Sequence, residues 1–226
     1  MLVSPAPVSR SKALVLTGYR TKLETLSIGA DDYQIRSLFD RCQFSDPDGA
    51  ALARGISEAA WPYFGQVWPA GLRLAEAMAG LSLAGRRVLE VGCGLAIAGI
   101  VSHRHKAEVT ASDRHPLCAR FLRENLRLNG LSPVAYHDAD WEHPDDRLGK
   151  FDLIIGSDVL YEASHPSQLA HFVERHASDH VEVVIVDPGR HRLARFSSHM
   201  RGLGFVGTES PVAGAPRTRI ARYHLA

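Results

Sequence analysis

From residue 86 onward the chain alternates short apolar runs with segments whose apolar residues recur at helical spacing. This is the pattern of a parallel sheet buried on both faces with helices returning over it. The runs predict strands at Arg87–Val91, Val109–Ser112, Val134–His137, Phe151–Ser157 and Val181–Val186. Between the second and third, "HPLCARFLRENLRLNG" predicts a helix. Pro116 suits its first turn, Leu117, Phe121, Leu122 and Leu126 share one face, and Asn129-Gly130 supplies a stop. A second helix is expected after Pro166, carrying Leu169, Phe172 and Val173, and a third, "RHRLARFSSHMRGLG", ends at Gly202 or Gly204. The tail "FVGTESPVAGAPRTRIARYHL" reads as two strands around a Pro/Gly loop, an antiparallel hairpin closing the sheet.

Upstream the pattern is less regular. "ALVLTGYRTKLETL" fits a strand pair or a flap, "DDYQIRSLFDRC" a helix and "DPDGAALARG" an exposed loop. Residues 1–60 are therefore expected to form an N-terminal extension or cap over part of the site, and residues 61–226 a single α/β domain. A chain of 226 residues is cramped for a second full domain.

Composition narrows the partners. Lys plus Arg (26) nearly cancels Asp plus Glu (25), so no overall field draws the chain to nucleic acid or anionic membrane, and neither partner is expected. The three cysteines, Cys42, Cys93 and Cys118, are odd in number and form no CxxC pair. They fit a reducing cytoplasm better than a disulfide framework or cysteine-rich zinc site. "MLVSPAPVSRSK" lacks the apolar core of a signal peptide, and the apolar runs are strand-sized, which predicts a soluble cytoplasmic protein. Among twelve histidines, His176 and His180 are four apart, but no H-E-x-x-H is present and no cysteine completes a ligand set, so no metal is expected.

The candidate chemistry begins at "RRVLEVGCGLAIAGI". After the first strand, Gly92 and Gly94 allow a sharp turn and close approach of a ligand. The dinucleotide fingerprint needs a third glycine where Ile97 stands, which disfavours a pyrophosphate cradle. Glu90, just before the turn, repels diphosphate but suits a ligand bearing a sulfonium and an ammonium group. Asp113 ends the second strand about 20 residues on, where a carboxylate accepts from both ribose hydroxyls. In "DADWEHP", Asp140 can accept from an adenine amine while Trp141 lies against the ring. Each has a plainer reading: a ligand-free turn, a helix cap at Asp113, a packing tryptophan. It is the ordered combination that points to an adenosine ligand.

The fourth strand runs out in "FDLIIGSDVLYEASHP", delivering Asp158 and Tyr161 to the carboxyl edge of the sheet, where doubly wound folds bind ligands. A carboxylate and an aromatic ring beside a sulfonium methyl could hold an incoming amine, and the carboxylate could take its proton. The alternative is a turn cap and a packed ring.

"VLEVGCG", "ASD", "DADW" and "SDVLY" in this order resemble a class I, seven-strand S-adenosylmethionine-dependent methyltransferase. More narrowly, "FGQVWPAGLRLAEAM", the D-x-L-Y run and "VDPGRHRLARF" resemble the protein-lysine methyltransferases that include the valosin-containing-protein and electron-transfer-flavoprotein β-subunit enzymes, over roughly residues 60 to 223. The resemblance implies a Rossmann-like three-layer α/β sandwich with a mostly parallel seven-stranded sheet and a C-terminal antiparallel hairpin. It also implies S-adenosylmethionine as cofactor, S-adenosylhomocysteine as product, and a target lysine on a protein substrate. By the same resemblance the Trp68-Pro69 segment lies along the cofactor, with Glu90, Gly92 and Gly94 around its methionine part. Asp113 holds the ribose, Asp140 and Trp141 the adenine, Ser157 lines the pocket, and Asp158 and Tyr161 face the acceptor. The family's usual third glycine is Ala96 here. Arg190 of "DPGR" either positions substrate or merely follows a shaped turn, and Trp68 either walls the cofactor or packs at a helix start. A small-molecule N- or O-methyltransferase, or a module that binds the cofactor without transfer, are the alternatives.

Overall fold

The computed structural model describes residues 18–143 and 145–226. Two strands, β1 (Thr21–Ile28) and β2 (Asp31–Leu38), form a hairpin of their own. The other seven build the main sheet: β3 (Arg87–Val91), β4 (Glu108–Asp113), β5 (Ala135–Asp138), β6 (Phe151–Ser157), β7 (Ala177–Asp187), β8 (Phe205–Val212) and β9 (Ala215–Leu225). Their order is β5-β4-β3-β6-β7-β9-β8. The first five are parallel, and β9 and β8 add antiparallel at the β7 edge.

Alternate side chains of the central strands feed two cores, one on each face. Val88, Leu153, Ile155 and Val184 pack with α1 (Pro69–Ala79), α2 (Ile97–Arg104) and α3 (Cys118–Leu128). Leu89, Val91, Ile154 and Ile185 pack with α4 (His165–His176) and α5 (Leu193–Gly202). The result is the expected three-layer α/β sandwich, because strands apolar on both faces must be covered on both. Pro116 lies in the turn before α3 rather than in its first turn, and β7 starts earlier than its apolar run. No helix among the described residues is long and apolar enough to cross a membrane.

The N-terminal region departs most from expectation. "DDYQIRSLFDRC" forms strand β2, not a helix. Tyr33 and Ile35 are buried at period two, and β2 is joined to β1 by the two-residue turn Gly29-Ala30, with Gly29 at φ +62°. The other edge of β2 is met by side chains of α3. Asn129 Oδ1 accepts from Gln34 N–H (2.9 Å) and its Nδ2 donates to Gln34 C=O (2.8 Å). One turn earlier, Asn125 does the same for Arg36 (2.8 and 3.3 Å). Four helical residues rise about 6 Å and two strand residues about 6.8 Å, so amides at i and i+4 can stand in for a neighbouring strand. Of the stretch 13–26, only residues from 18 on are described, and 21–28 form β1. In the expected loop 46–55, Leu52–Arg54 form a short 3-10 turn; Leu52 is exposed but Ala51 is fully buried.

Candidate active site

The parallel strands end on one side, and there a cleft of about 370 Å³ opens. Trp68, Glu90, Gly92, Gly94, Asp113, Asp140, Trp141, Ser157, Asp158 and Tyr161, the candidate cofactor and acceptor residues, all line it. Their convergence follows from topology, since β3, β4, β5 and β6 are parallel neighbours and the residues after their carboxyl ends must meet.

The turn after β3 places Gly92, Gly94 and Ala96 at φ +56°, +52° and +54°. A side chain on Gly94 would reach within 2.8 Å of the Phe64 carbonyl, and one on Gly92 within 2.8 Å of Val159 and 3.6 Å of Trp141. Both glycines are thus required by the walls of the cleft as well as by conformation. Ala96 holds a left-handed conformation that costs an L-residue roughly 1–2 kcal/mol, which accounts for a glycine being usual there. Its methyl is fully buried and lies outside the cleft lining. Ala96→Gly is therefore expected to leave S-adenosylhomocysteine affinity unchanged in a calorimetric titration; tighter binding would show that the methyl intrudes on the site.

Asp113 fastens this turn. One carboxylate oxygen accepts from Gly94 N–H (2.9 Å) and the other from His115 N–H (2.8 Å), while the carboxyl still faces the cleft. Burial raises its pKa, and these two N–H donors oppose the rise. The clamp leaves each oxygen a second lone pair toward the cleft.

Glu90 points from β3 into the α1/α2 core and is 4% exposed. Its Oε2 accepts from Gly99 N–H at 2.7 Å, and a side chain on Gly99 would collide with that oxygen at 2.6 Å. Gly99, too late for a dinucleotide fingerprint, thus serves Glu90. Burial pushes the Glu90 carboxyl up to about 8. Between the ordinary glutamate value of 4.5 and 8, the folded protein holds a proton that the unfolded chain has lost, so this group erodes stability as pH rises through that window. Glu90→Gln, a neutral isostere, should therefore be more stable than wild type at pH 8, by on the order of 2–4 kcal/mol, and should lose this advantage toward pH 5. Thermal unfolding across that range checks it; a difference independent of pH would contradict it.

At the adenine end of the sequence reading, Trp141 is half-buried against Gly92 and sits edge-on to His165, ring centroids 5.2 Å apart. Asp140 is exposed, with its oxygens on Glu142 N–H (2.9 Å) and His143 Nδ1 (3.0 Å). Trp68 is the residue before α1, with Pro69 at the first helical position, and it lines the cleft. Its Nε1–H donates to Tyr63 C=O (2.8 Å).

The other end gathers Asp158, Tyr161 and Arg190. Asp158 takes φ +54°, which aspartate tolerates better than most residues, and its N–H donates to Val186 C=O (2.9 Å). Arg190 grips its carboxylate with two nitrogens, Nε on one oxygen and Nη2 on the other at 3.1 Å. The "DPGR" turn therefore does more than follow β7: its arginine is delivered to Asp158. Tyr161 stands edge-on to His165 (4.6 Å) and Tyr63 (6.4 Å), and burial raises its pKa.

Several lining residues were not read from the sequence. His115 stacks on Phe64 (3.8 Å, 15° between planes), and its Nε2 is buried without a hydrogen-bond partner among the described residues. Burial drives its pKa down to about 3, so it is neutral. Its position two residues past Asp113 was the available signal. Arg41, Ile56 and Tyr63 come from the N-terminal region and its junction with α1, where no motif marks them.

Residues 60–200 match the lysine methyltransferase family model, and the chain belongs to that family. It is 32% identical over 172 residues to the Xenopus laevis electron transfer flavoprotein beta subunit lysine methyltransferase, covering 74% of this chain and 66% of that protein. To the Xenopus tropicalis protein N-lysine methyltransferase METTL21A it is 32% identical over 127 residues, covering 53% and 58%. The chain spans about half to two thirds of the length of these relatives. In fold it resembles the T. thermophilus 16S rRNA N2 G1207 methyltransferase, with TM-score 0.65 and 16% identity over 91% of this chain and 51% of that one.

Proposed function

We propose that this chain is an S-adenosylmethionine-dependent protein-lysine N-methyltransferase. The observation that carries the reading is one cleft with two chemically distinct ends. A glycine turn with Glu90 and Asp113 forms one, and a carboxylate with aromatic walls, Asp158 and Tyr161, forms the other.

The residues present fit the cofactor. Asp113 keeps outward lone pairs for ribose hydroxyls, and Trp141 offers a ring face for adenine with Asp140 beside it. A cationic ligand would favour the ionised form of Glu90 and so repay part of its burial. Trp68 and Ser157 complete the wall. When bound, the cofactor supplies a methyl group on a sulfonium, whose thioether is already a good leaving group. The chain's own contribution is then placement and desolvation: Asp158 accepts a hydrogen bond from the acceptor amine and Tyr161 walls its approach. Residues 41–66 would act as the cap through Arg41, Ile56, Ala60 and Tyr63, whereas the β1/β2 hairpin docks on α3. The free thiols of Cys42, Cys93 and Cys118 support a cytoplasmic setting.

The test is incubation with a protein lysate and radiolabelled S-adenosylmethionine, followed by hydrolysis and amino-acid analysis. The expected product is labelled methyllysine. Label confined to small molecules would replace the reading with a small-molecule methyltransferase, and cofactor binding without any label with a non-catalytic module.

A further inference from the structure

We propose that Arg190 is a positioning residue that cancels the charge of Asp158 while leaving its oxygens able to accept a hydrogen bond, so that an acceptor lysine is held as the reactive neutral amine. This rests on the lysine reading above.

The pair is built rather than incidental. Arg190 uses two nitrogens on two oxygens, and the Asp158 side chain is only 11% exposed against 41% for Arg190. The turn that delivers Arg190 is itself fixed: Asp187 Oδ1 accepts from Gly189 N–H (2.8 Å) and Arg190 N–H (2.7 Å). Gly189, at φ +96°, leaves no room for a side chain beside the Arg217 carbonyl, 2.8 Å from where its Cβ would stand. β6 and β7 are parallel neighbours, with Ser157 paired to Val186, so Asp158 and the "DPGR" turn leave the sheet side by side.

A lysine ammonium has no lone pair to attack with, and its ordinary pKa is about 10.4. An uncompensated carboxylate beside it would bind the cation well and raise that value further, trapping the unreactive form. A carboxylate already paired with guanidinium still offers lone pairs but little net charge. The neighbours do not undo this balance. Just past β4, Arg114 is matched by Glu162 (2.8 Å), and His165 at the start of α4, with Nδ1 on Val159 C=O and Nε2 3.5 Å from Glu162, has its pKa lowered by burial. At the end of β7, the buried Asp187 spends Oδ1 on the Gly189 and Arg190 N–H groups. Tyr63, edge-on to Tyr161 (6.4 Å), Arg41 and Glu90 also line the cleft. In the step itself the ammonium gives its proton to water at the cleft mouth, where Arg190 and Tyr63 are partly exposed. The nitrogen lone pair then forms the new C–N bond to the transferred methyl as the C–S bond breaks, and that electron pair stays on sulfur.

The experiment compares wild type, Arg190→Gln and Arg190→Lys. Each is first titrated with S-adenosylhomocysteine, which should bind all three alike and certifies the fold. Transfer to the protein acceptor recovered from the lysate is then measured against pH at saturating cofactor, and binding of n-butylammonium to the cofactor-free protein is followed by NMR at pH 7. For Arg190→Gln the profile should move up by about one pH unit. That means transfer about tenfold slower at pH 7, the gap closing only as pH rises past the amine's pKa in both proteins, above about pH 11, while n-butylammonium binds several-fold tighter. Arg190→Lys should keep the wild-type profile. Loss equal at every pH with weaker n-butylammonium binding would make Arg190 a structural support and overturn the proposal. Faster transfer at every pH would make it a competitor for Asp158 and overturn it too. If wild type labels no lysine, the proposed function fails, and n-butylammonium binding still decides whether Arg190 masks Asp158.

Discussion

Asp158→Asn is expected to slow methyl transfer about 100-fold while leaving S-adenosylhomocysteine affinity unchanged. The asparagine keeps the shape and one acceptor oxygen but loses the charge that matches Arg190. The guanidinium is then left as an uncompensated cation where the proposed acceptor lysine enters, and like charges disfavour that approach. The same residue has no hydrogen bond to the glycine turn, so the cofactor end should not respond. Equal losses in transfer and cofactor affinity would move Asp158 to the cofactor side of the cleft.

Asp113→Ala is the converse case. It removes the acceptors of the Gly94 and His115 N–H groups together with the proposed ribose contacts. Loss of the ligand contacts alone should weaken S-adenosylhomocysteine binding by about 1–3 kcal/mol, and freeing the turn adds to this. Because two backbone donors inside the cleft lose their partner, thermal stability should fall as well. Calorimetry and thermal unfolding together check both; undiminished affinity would reduce Asp113 to a clamp.

Much of the architecture was legible because strands buried on both faces must be apolar along their whole length, as "FDLIIGS" is, and few other elements read that way. The site residues were legible for a related reason: they sit immediately past those strands, and parallel strands end on one side. What escaped depended on partners distant in sequence. The stretch "DDYQIRSLFDRC" carries Tyr33, Ile35, Leu38 and Phe39 at spacings that suit a helix face almost as well as a strand, and the groups that settle the matter are two asparagine amides about ninety residues away. Arg190 stood in a recognisable motif, but its pairing with Asp158 follows from β6 and β7 being neighbours, which is a property of strand order. The left-handed conformation of Ala96 has no sign in an alanine, whereas Gly92 and Gly94 announced theirs.

The glycine turn, Glu90 and Asp113 are proposed to form a site for S-adenosylmethionine and not for a dinucleotide. Calorimetric titration of the protein with S-adenosylhomocysteine, with NAD as the control, tests it most directly. Saturable binding of S-adenosylhomocysteine alone is the predicted result. Binding of NAD in its place, or of neither, would contradict the account.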